Sequence, residues 1–128
     1  MGMYDQAEAT NLLKASFGIT AYTTVTGTKV RVGSNAPTAT ADMTELTGTG
    51  YTAGGQACTW TAGTATVSNV TVLSWTNGSG GAWSAVGVEV WDLSPARKVQ
   101  GTWTGQPIAI ANGNTFQAAA GALTGSLA

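Results

Sequence analysis

Few side chains in this sequence have the chemistry that catalysis requires. There is no histidine and one cysteine, Cys58, which excludes a His-based triad, a zinc site of histidines or four cysteines, and an intrachain disulfide. Asp42 and Glu45 could in principle be the acid and base of a glycosidase. They lie in a thin loop with no aromatic cradle nearby in sequence, which favours a solvated turn. With no histidine to activate it, Cys58 is predicted to be a buried, small apolar residue.

The glycine-rich stretches do not fit a phosphate-binding loop. Residues 48–54 and 78–81 have neither the spacing nor the lysine of a Walker motif, so both are predicted to be turns. Asp5 and Glu8 are explained by the start of a helix. We therefore expect that the protein is not an enzyme and that it binds neither a metal nor a cofactor.

Charge is scarce, which narrows the possible partners. Five Lys or Arg and six Asp or Glu give a net charge of -1, and charged residues make up 9% of the 128 residues, against roughly a quarter in an ordinary domain. The basic residues are too few to neutralise a run of phosphates or to hold an anionic membrane. No apolar run approaches the roughly 18 residues of a membrane span, and the first ten residues lack a signal-peptide pattern. We expect synthesis in the cytoplasm without export, and neither nucleic acid nor membrane as a partner.

The elements that must position these side chains begin with a helix predicted over residues 4–17. Asp5 and Glu8 have the spacing of a capping box, and Gly18 follows where a C-terminal cap belongs. One helix face carries Ala9, Leu12, Leu13, Ser16 and Phe17, all of which are apolar except Ser16.

The rest of the chain has the pattern of a β protein. Residues 28–32 alternate as a half-buried strand does, and 34–55 is predicted to be a long loop or irregular edge with only Met43, Leu46 and Tyr51 to pack. Further strands or strand pairs are predicted over 56–61, 64–75, 82–92, 98–103, 108–110, 115–120 and 122–127. Their spacing near ten residues indicates one mainly β domain over 1–128, an antiparallel sandwich or barrel with one short N-terminal helix. Its core is predicted to be thin, although each of the five tryptophans offers a large area to bury, and such a core gains from partners that bury more surface.

The strand predicted over 82–92 has two partly apolar faces. Period two places Val86, Val88 and Val90 on one face, and the other face carries Trp83, Ala85, Gly87, Glu89 and Trp91. Either the helix or a loop of the same chain covers the second face, or Trp83 and Trp91, flanking Glu89, contact another subunit, because tryptophan is enriched in interface hot spots.

Nearly the whole chain resembles a family of small virion proteins of tailed phages of actinobacteria, which are described as head decoration proteins or as tail fiber proteins. The similarity begins with LLKASFGITAYT and KVRVGS, and continues through TELTGTGYTAGGQACTW, TATVSNVTVLSW and WSAVGVEVWD. It ends with RKVQGTWTGQPIAIANGNTFQAAAGALTGSL, of which NGNTF and AAGAL are the most recognisable parts. These are patterns of strands and turns without a catalytic signature.

The resemblance implies a structural virion protein that binds the outside of a capsid. Its partners would be the major capsid protein and further copies of itself, with a trimer favoured, and its location the capsid surface. The candidate interface residues are Met1, Met3, Tyr4, Trp83, Glu89 and Trp91. Two alternatives remain open, a tail fiber or minor tail protein that binds host glycans through exposed tryptophans, and a free sugar-binding module.

Overall fold

A computed structural model describes residues 3–126 as a mainly β protein with one short helix. Within that range the helix α1 spans Gln6–Ser16 and eleven strands follow it. The strands are β1 Thr28–Gly33, β2 Gln56–Cys58, β3 Trp60–Ala62, β4 Thr66–Asn69, β5 Leu73–Thr76, β6 Trp83–Ala85, β7 Gly87–Asp92, β8 Arg97–Thr102, β9 Ile108–Ile110, β10 Thr115–Ala118 and β11 Thr124–Ser126. The helix in the described part of the chain is too short and too polar to cross a membrane.

All strand pairs are antiparallel, and the described strands form four small sheets in a sandwich-like arrangement. The largest sheet has the order β2-β1-β7-β8, with β1 paired along its whole length to β7. The others are β11-β4-β3, β10-β5 and β6-β9. The predicted mainly β class is therefore confirmed. The runs at 56–61 and 64–75 each divide into two strands that belong to different sheets.

The core lies on one face of the four-stranded sheet. Val30 and Val32 of β1 point into it, as the alternation of 28–32 predicts, and Val90 of β7 joins them. The smaller sheets cover these valines with large side chains, which are Leu73, Trp75, Trp83 and Ile110. Cys58 is buried in the same cluster, as predicted, and this burial raises the pKa of its thiol.

The helix begins as predicted, but its apolar face is not buried. Asp5 caps α1, since its Oδ1 accepts a hydrogen bond of 2.9 Å from the Ala7 N–H. The buried residue of the helix is Glu8, whereas Leu13 and Phe17 are exposed. On the face that the sequence indicates as mainly apolar, Ala9 and Leu12 are half-buried and Leu13 and Phe17 are exposed, because α1 is held on β8 through its first turn.

The segment 34–55 contains no helix or strand, as predicted, and it covers the outer face of the four-stranded sheet. Met43, Leu46 and Tyr51 are its buried apolar residues, which the sequence also indicates. Gly33 and Gly87, paired across β1 and β7, allow the loop to lie close to the sheet. A Cβ on Gly87 would lie 2.9 Å from the Met43 sulfur, so a side chain there would displace the loop.

The unbroken alternation predicted over 82–92 is wrong, because the run forms a pair of strands and the chain changes sheets at Val86. Before it, β6 pairs with β9, and after it, β7 pairs with β1. The Val86 N–H donates to the Gly33 carbonyl at 2.9 Å, while the Val86 carbonyl accepts from the Trp103 N–H at 3.0 Å. Alternation restarts at this point, and Trp83 consequently faces the core, away from the face that carries Glu89 and Trp91.

Candidate interaction surfaces

Trp83 is a core residue. Its side chain is only 5% exposed, its ring packs edge-on against Tyr51 at a centroid distance of 6.3 Å, and its Nε1–H donates to the Thr47 carbonyl at 3.0 Å. It therefore offers no surface to a neighbouring chain.

Glu89 is covered by its own chain, as the first of the two interpretations expects. The residue is 1% exposed. Its carboxylate accepts hydrogen bonds from the Met43 N–H at 2.7 Å and from the Trp91 Nε1–H at 2.8 Å. Trp91 is half-buried beneath the Arg31 guanidinium, which lies 3.9 Å from the ring centroid. Of the predicted trio, Trp91 alone reaches the surface.

The N-terminal residues of the candidate interface lie along the edge of β8. The Gln100 N–H donates to the Met3 carbonyl at 2.7 Å, Tyr4 forms a β-bridge with Val99, and the Asp5 N–H donates to the Lys98 carbonyl at 3.1 Å. This pairing covers part of an otherwise free strand edge. Met1, the remaining candidate, lies outside the described residues.

Arg97 is the centre of a buried ion-pair cluster. Its guanidinium contacts Asp5 at 2.9 Å, Glu89 at 3.1 Å and Asp42 at 3.5 Å. Burial opposes the positive charge, but hydrogen bonds to Asp5 and Glu89 raise the pKa of Arg97. Burial acts to raise the pKa of Asp5, but the hydrogen bond from Arg97 outweighs burial and lowers this pKa below its ordinary value. The start of the helix is therefore fixed to β7 and β8 by charge.

Lys98 holds the first turn of the helix through Glu8. Its ammonium contacts Glu8 at 2.9 Å and Asp92 at 3.3 Å, and the Tyr22 hydroxyl donates to Glu8 from the segment after the helix. Burial and the Glu8 carboxylate raise the pKa of Tyr22, while hydrogen bonds from Ser94 and Ala96 overcome burial and lower the pKa of Asp92 to about 2. We call this combined cluster the ionic anchor; its members are Asp5, Glu8, Glu89, Asp92, Arg97 and Lys98.

The ionic anchor corrects the explanation of Glu8 as part of a capping box. Asp5 does cap the helix, but it also binds Arg97, and the Glu8 side chain turns to Lys98 and Tyr22. Sequence reasoning missed Arg97 and Lys98 because Asp5 and Glu8 precede them by 92 and 90 positions. The one available signal is that scarce charges in a domain are usually paired when buried.

The two carboxylates considered for acid–base chemistry face different partners. Asp42 contacts Arg97, while Glu45 binds Arg31 at 3.1 Å and accepts a hydrogen bond from the Tyr51 hydroxyl at 2.7 Å. Both fix the loop to the sheet, which is a structural use of their charge.

The last turn of the helix and the residues directly after it carry exposed apolar side chains, which we call the apolar tip. Its residues are Leu13, Phe17 and Ile19, and they are 60%, 78% and 70% exposed. Single exposed apolar residues are common on protein surfaces, but three within seven positions at the end of one helix form a patch. Lys14 lies within this patch and is also exposed.

A groove of about 680 Å³ runs between β8 and the sheet β11-β4-β3. Its walls are mainly apolar, and they include Trp60, Val88, Val99, Trp103 and Leu123. Glu8, Tyr22 and Lys98 also line the groove, so part of its wall belongs to the ionic anchor and its neighbour Tyr22. This volume is within the range of pockets that bind small molecules or a few side chains.

The fold and these surfaces define a mainly β protein whose single described helix is fixed at its first turns and apolar at its end. A comparison with protein-family models found no match to the chain, and a comparison with curated proteins found none either.

Proposed function

We propose that the chain is a structural virion protein, a head decoration protein that binds the outer surface of a phage capsid and acts without catalysis. The apolar tip is the observation that carries this proposal. A helix fixed at its start by buried ion pairs and apolar at its exposed end has the form of a docking element for another protein chain.

The distribution of charge supports assembly into a dense array. Nine of the eleven charged side chains form ion pairs, which are Asp5, Glu8, Arg31, Asp42, Glu45, Glu89, Asp92, Arg97 and Lys98. Lys14 and Lys29 form no ion pair with any residue between 3 and 126. Copies of such a chain repel one another little, which favours close packing.

The sequence resemblance supplies the identity of the partners. It supports the major capsid protein as the surface that is bound, and a homo-oligomer, with a trimer favoured, as the form that binds. The alternative of a tail protein that binds glycans has less support, because it needs exposed tryptophans. Trp75 and Trp83 are buried and the Trp91 ring is stacked against Arg31, which leaves Trp60 and Trp103, in the wall of the groove, as the tryptophans that could contact a sugar.

The test is binding of the purified protein to undecorated capsids of the parent particle. We expect the wild-type chain to sediment with the capsids, and the double variant Leu13→Ser, Phe17→Ser to remain in the supernatant. Val70→Ser, Val72→Ser is the matched control, because it also removes two exposed apolar side chains but far from α1 in sequence. Capsids that take up neither the wild type nor the control, or a cryo-EM map that places the chain only in the tail, would overturn the head assignment.

A further inference from the structure

We propose that the apolar tip of one chain binds in the groove of a second copy, so that copies are linked head to tail. This inference rests on the proposed function, since it takes the tip to be a protein-docking element, and it identifies a second copy as the partner of that element.

The tip is held away from the groove of its own chain. Glu8, which lines the groove, and Phe17 are separated by nine helical positions, or roughly 14 Å at about 1.5 Å per residue. Arg97 and Lys98 fix the first turn of the helix, so the tip cannot swing back while α1 remains intact. The high exposure of Phe17 and Ile19 shows that residues 3–126 leave both side chains largely uncovered.

The two surfaces match in chemistry. The tip offers one aromatic and two aliphatic side chains, and the groove offers two tryptophans with valines and a leucine. Aromatic anchors that enter apolar pockets are the usual centre of a protein interface. Phe17 is the best candidate for this anchor because it is the most exposed of the three and lies at the end of the helix.

Charge also favours the contact. Lys14 is the only charged residue between positions 9 and 27, so the tip is basic. The ionic anchor borders one end of the groove through Glu8 and Lys98, and its four carboxylates and two cations leave it with a net charge of -2. A tip that enters the groove brings Lys14 towards this acidic end, whereas two tips that met each other would bring two lysines together.

The contact is heterologous, because each chain contributes a tip on one side and a groove on the other. Repetition of one such contact gives a closed ring when the rotation between copies closes, and an open chain of subunits when it does not. A ring is the form that agrees with a symmetric homo-oligomer.

Sedimentation velocity of the isolated protein, without capsids, tests the proposal. The tip variant is Phe17→Ser, Ile19→Ser. The groove variant is Gly101→Phe, since a Cβ at Gly101 meets only Val88, at 3.8 Å, and a larger side chain there fills the groove without backbone strain. We expect the wild type to self-associate, the control Val70→Ser, Val72→Ser to match it, and each test variant to lose at least about 30-fold in association constant.

Mixing the two variants gives the decisive result. The tip variant keeps its groove and the groove variant keeps its tip, so a mixture should form one species of twice the 12.8 kDa chain mass that grows no further. A wild type that stays monomeric to about 1 mM, a test variant that associates like the wild type, or a mixture without this dimer would overturn the inference. Circular dichroism confirms that each variant is folded. Because no capsid is present, failure of capsid binding leaves this result standing, and failure here leaves the capsid test standing.

Discussion

Replacement of Arg97 by methionine tests whether the ionic anchor holds the helix and the loop on the sheet. The substitution keeps most of the side-chain volume but removes the only cation that forms an ion pair with Glu89 among residues 3–126. Both side chains are almost fully buried, with 2% and 1% exposure. Since water cannot take the place of the guanidinium, Glu89 would be left as a buried charge without a counterion.

The expected loss in the free energy of unfolding follows from the burial of both side chains. Removing one partner of a buried ion pair costs about 3–5 kcal/mol, a large part of the roughly 5–15 kcal/mol that stabilises a typical domain. With a denaturant slope of about 2 kcal/mol per M, the midpoint of urea unfolding should fall by about 2 M. Lys14→Met is the control, because it removes an exposed charge without an ion pair among residues 3–126 and should change stability by at most about 0.5 kcal/mol.

A double-variant cycle separates the buried charge from loss of packing. Arg97→Met combined with Glu89→Gln should be at least about 1 kcal/mol more stable than Arg97→Met alone, because the glutamine leaves no buried charge. Tryptophan fluorescence follows the unfolding, and Trp91 reports on the site itself because its Nε1–H donates to Glu89. A loss under about 1 kcal/mol for Arg97→Met, or a double variant no more stable than the single one, would refute this reasoning.

Two further predictions concern acid stability and the covering loop. The folded pKa of Asp92, about 2, lies below the ordinary value of 3.8, so the stability that it contributes is complete above about pH 5 and is lost as the pH falls towards 2. Urea unfolding between pH 5 and pH 2 should therefore show a shallower decline in Asp92→Asn than in the exposed control Asp42→Asn; equal slopes would contradict the assignment. Gly87→Ala should cost about 1–3 kcal/mol in thermal or urea unfolding, because its Cβ would lie 2.4 Å from the Asn35 carbonyl oxygen and 2.9 Å from Met43 and Pro37. Gly101→Ala should cost less than about 1 kcal/mol, because a Cβ there meets only Val88, at an ordinary contact distance of 3.8 Å. Equal losses in the two alanine variants would show that the loop does not press on the sheet.

Local signals predict much of this fold correctly. The cap at Asp5, the strand at 28–32, the short strand at 108–110 and the buried residues of the long loop all follow from patterns within a few positions of each other. The strand at 82–92 fails for a tertiary reason, because period two carries no mark at Val86 to show that the chain passes from one sheet to another. A single residue outside both strands reverses which side chains face the core.

The candidate site was harder to predict than the fold, because it depends on contacts across the whole chain. The local spacing of Asp5 and Glu8 predicts the start of a helix, and nothing in that spacing connects them with Arg97 and Lys98. Low charge content indicates which partners are disfavoured, but it does not reveal that nearly all the charges meet in ion pairs. That arrangement follows from the topology, which brings the N-terminal segment beside β8.

The helix shows most clearly what sequence periodicity can and cannot determine. An apolar stripe indicates that a helix face is suited to burial, but it does not specify which chain provides the other side. In this protein the ionic anchor fixes the first turns of α1 on β8, and the geometry of a rigid helix then carries Leu13 and Phe17 out past the sheet. A small domain with a thin core loses stabilisation by leaving these side chains in water, and it regains that stabilisation when another chain covers them. A helix that is fixed at its first turns and apolar at its uncovered end therefore favours assembly over an isolated chain.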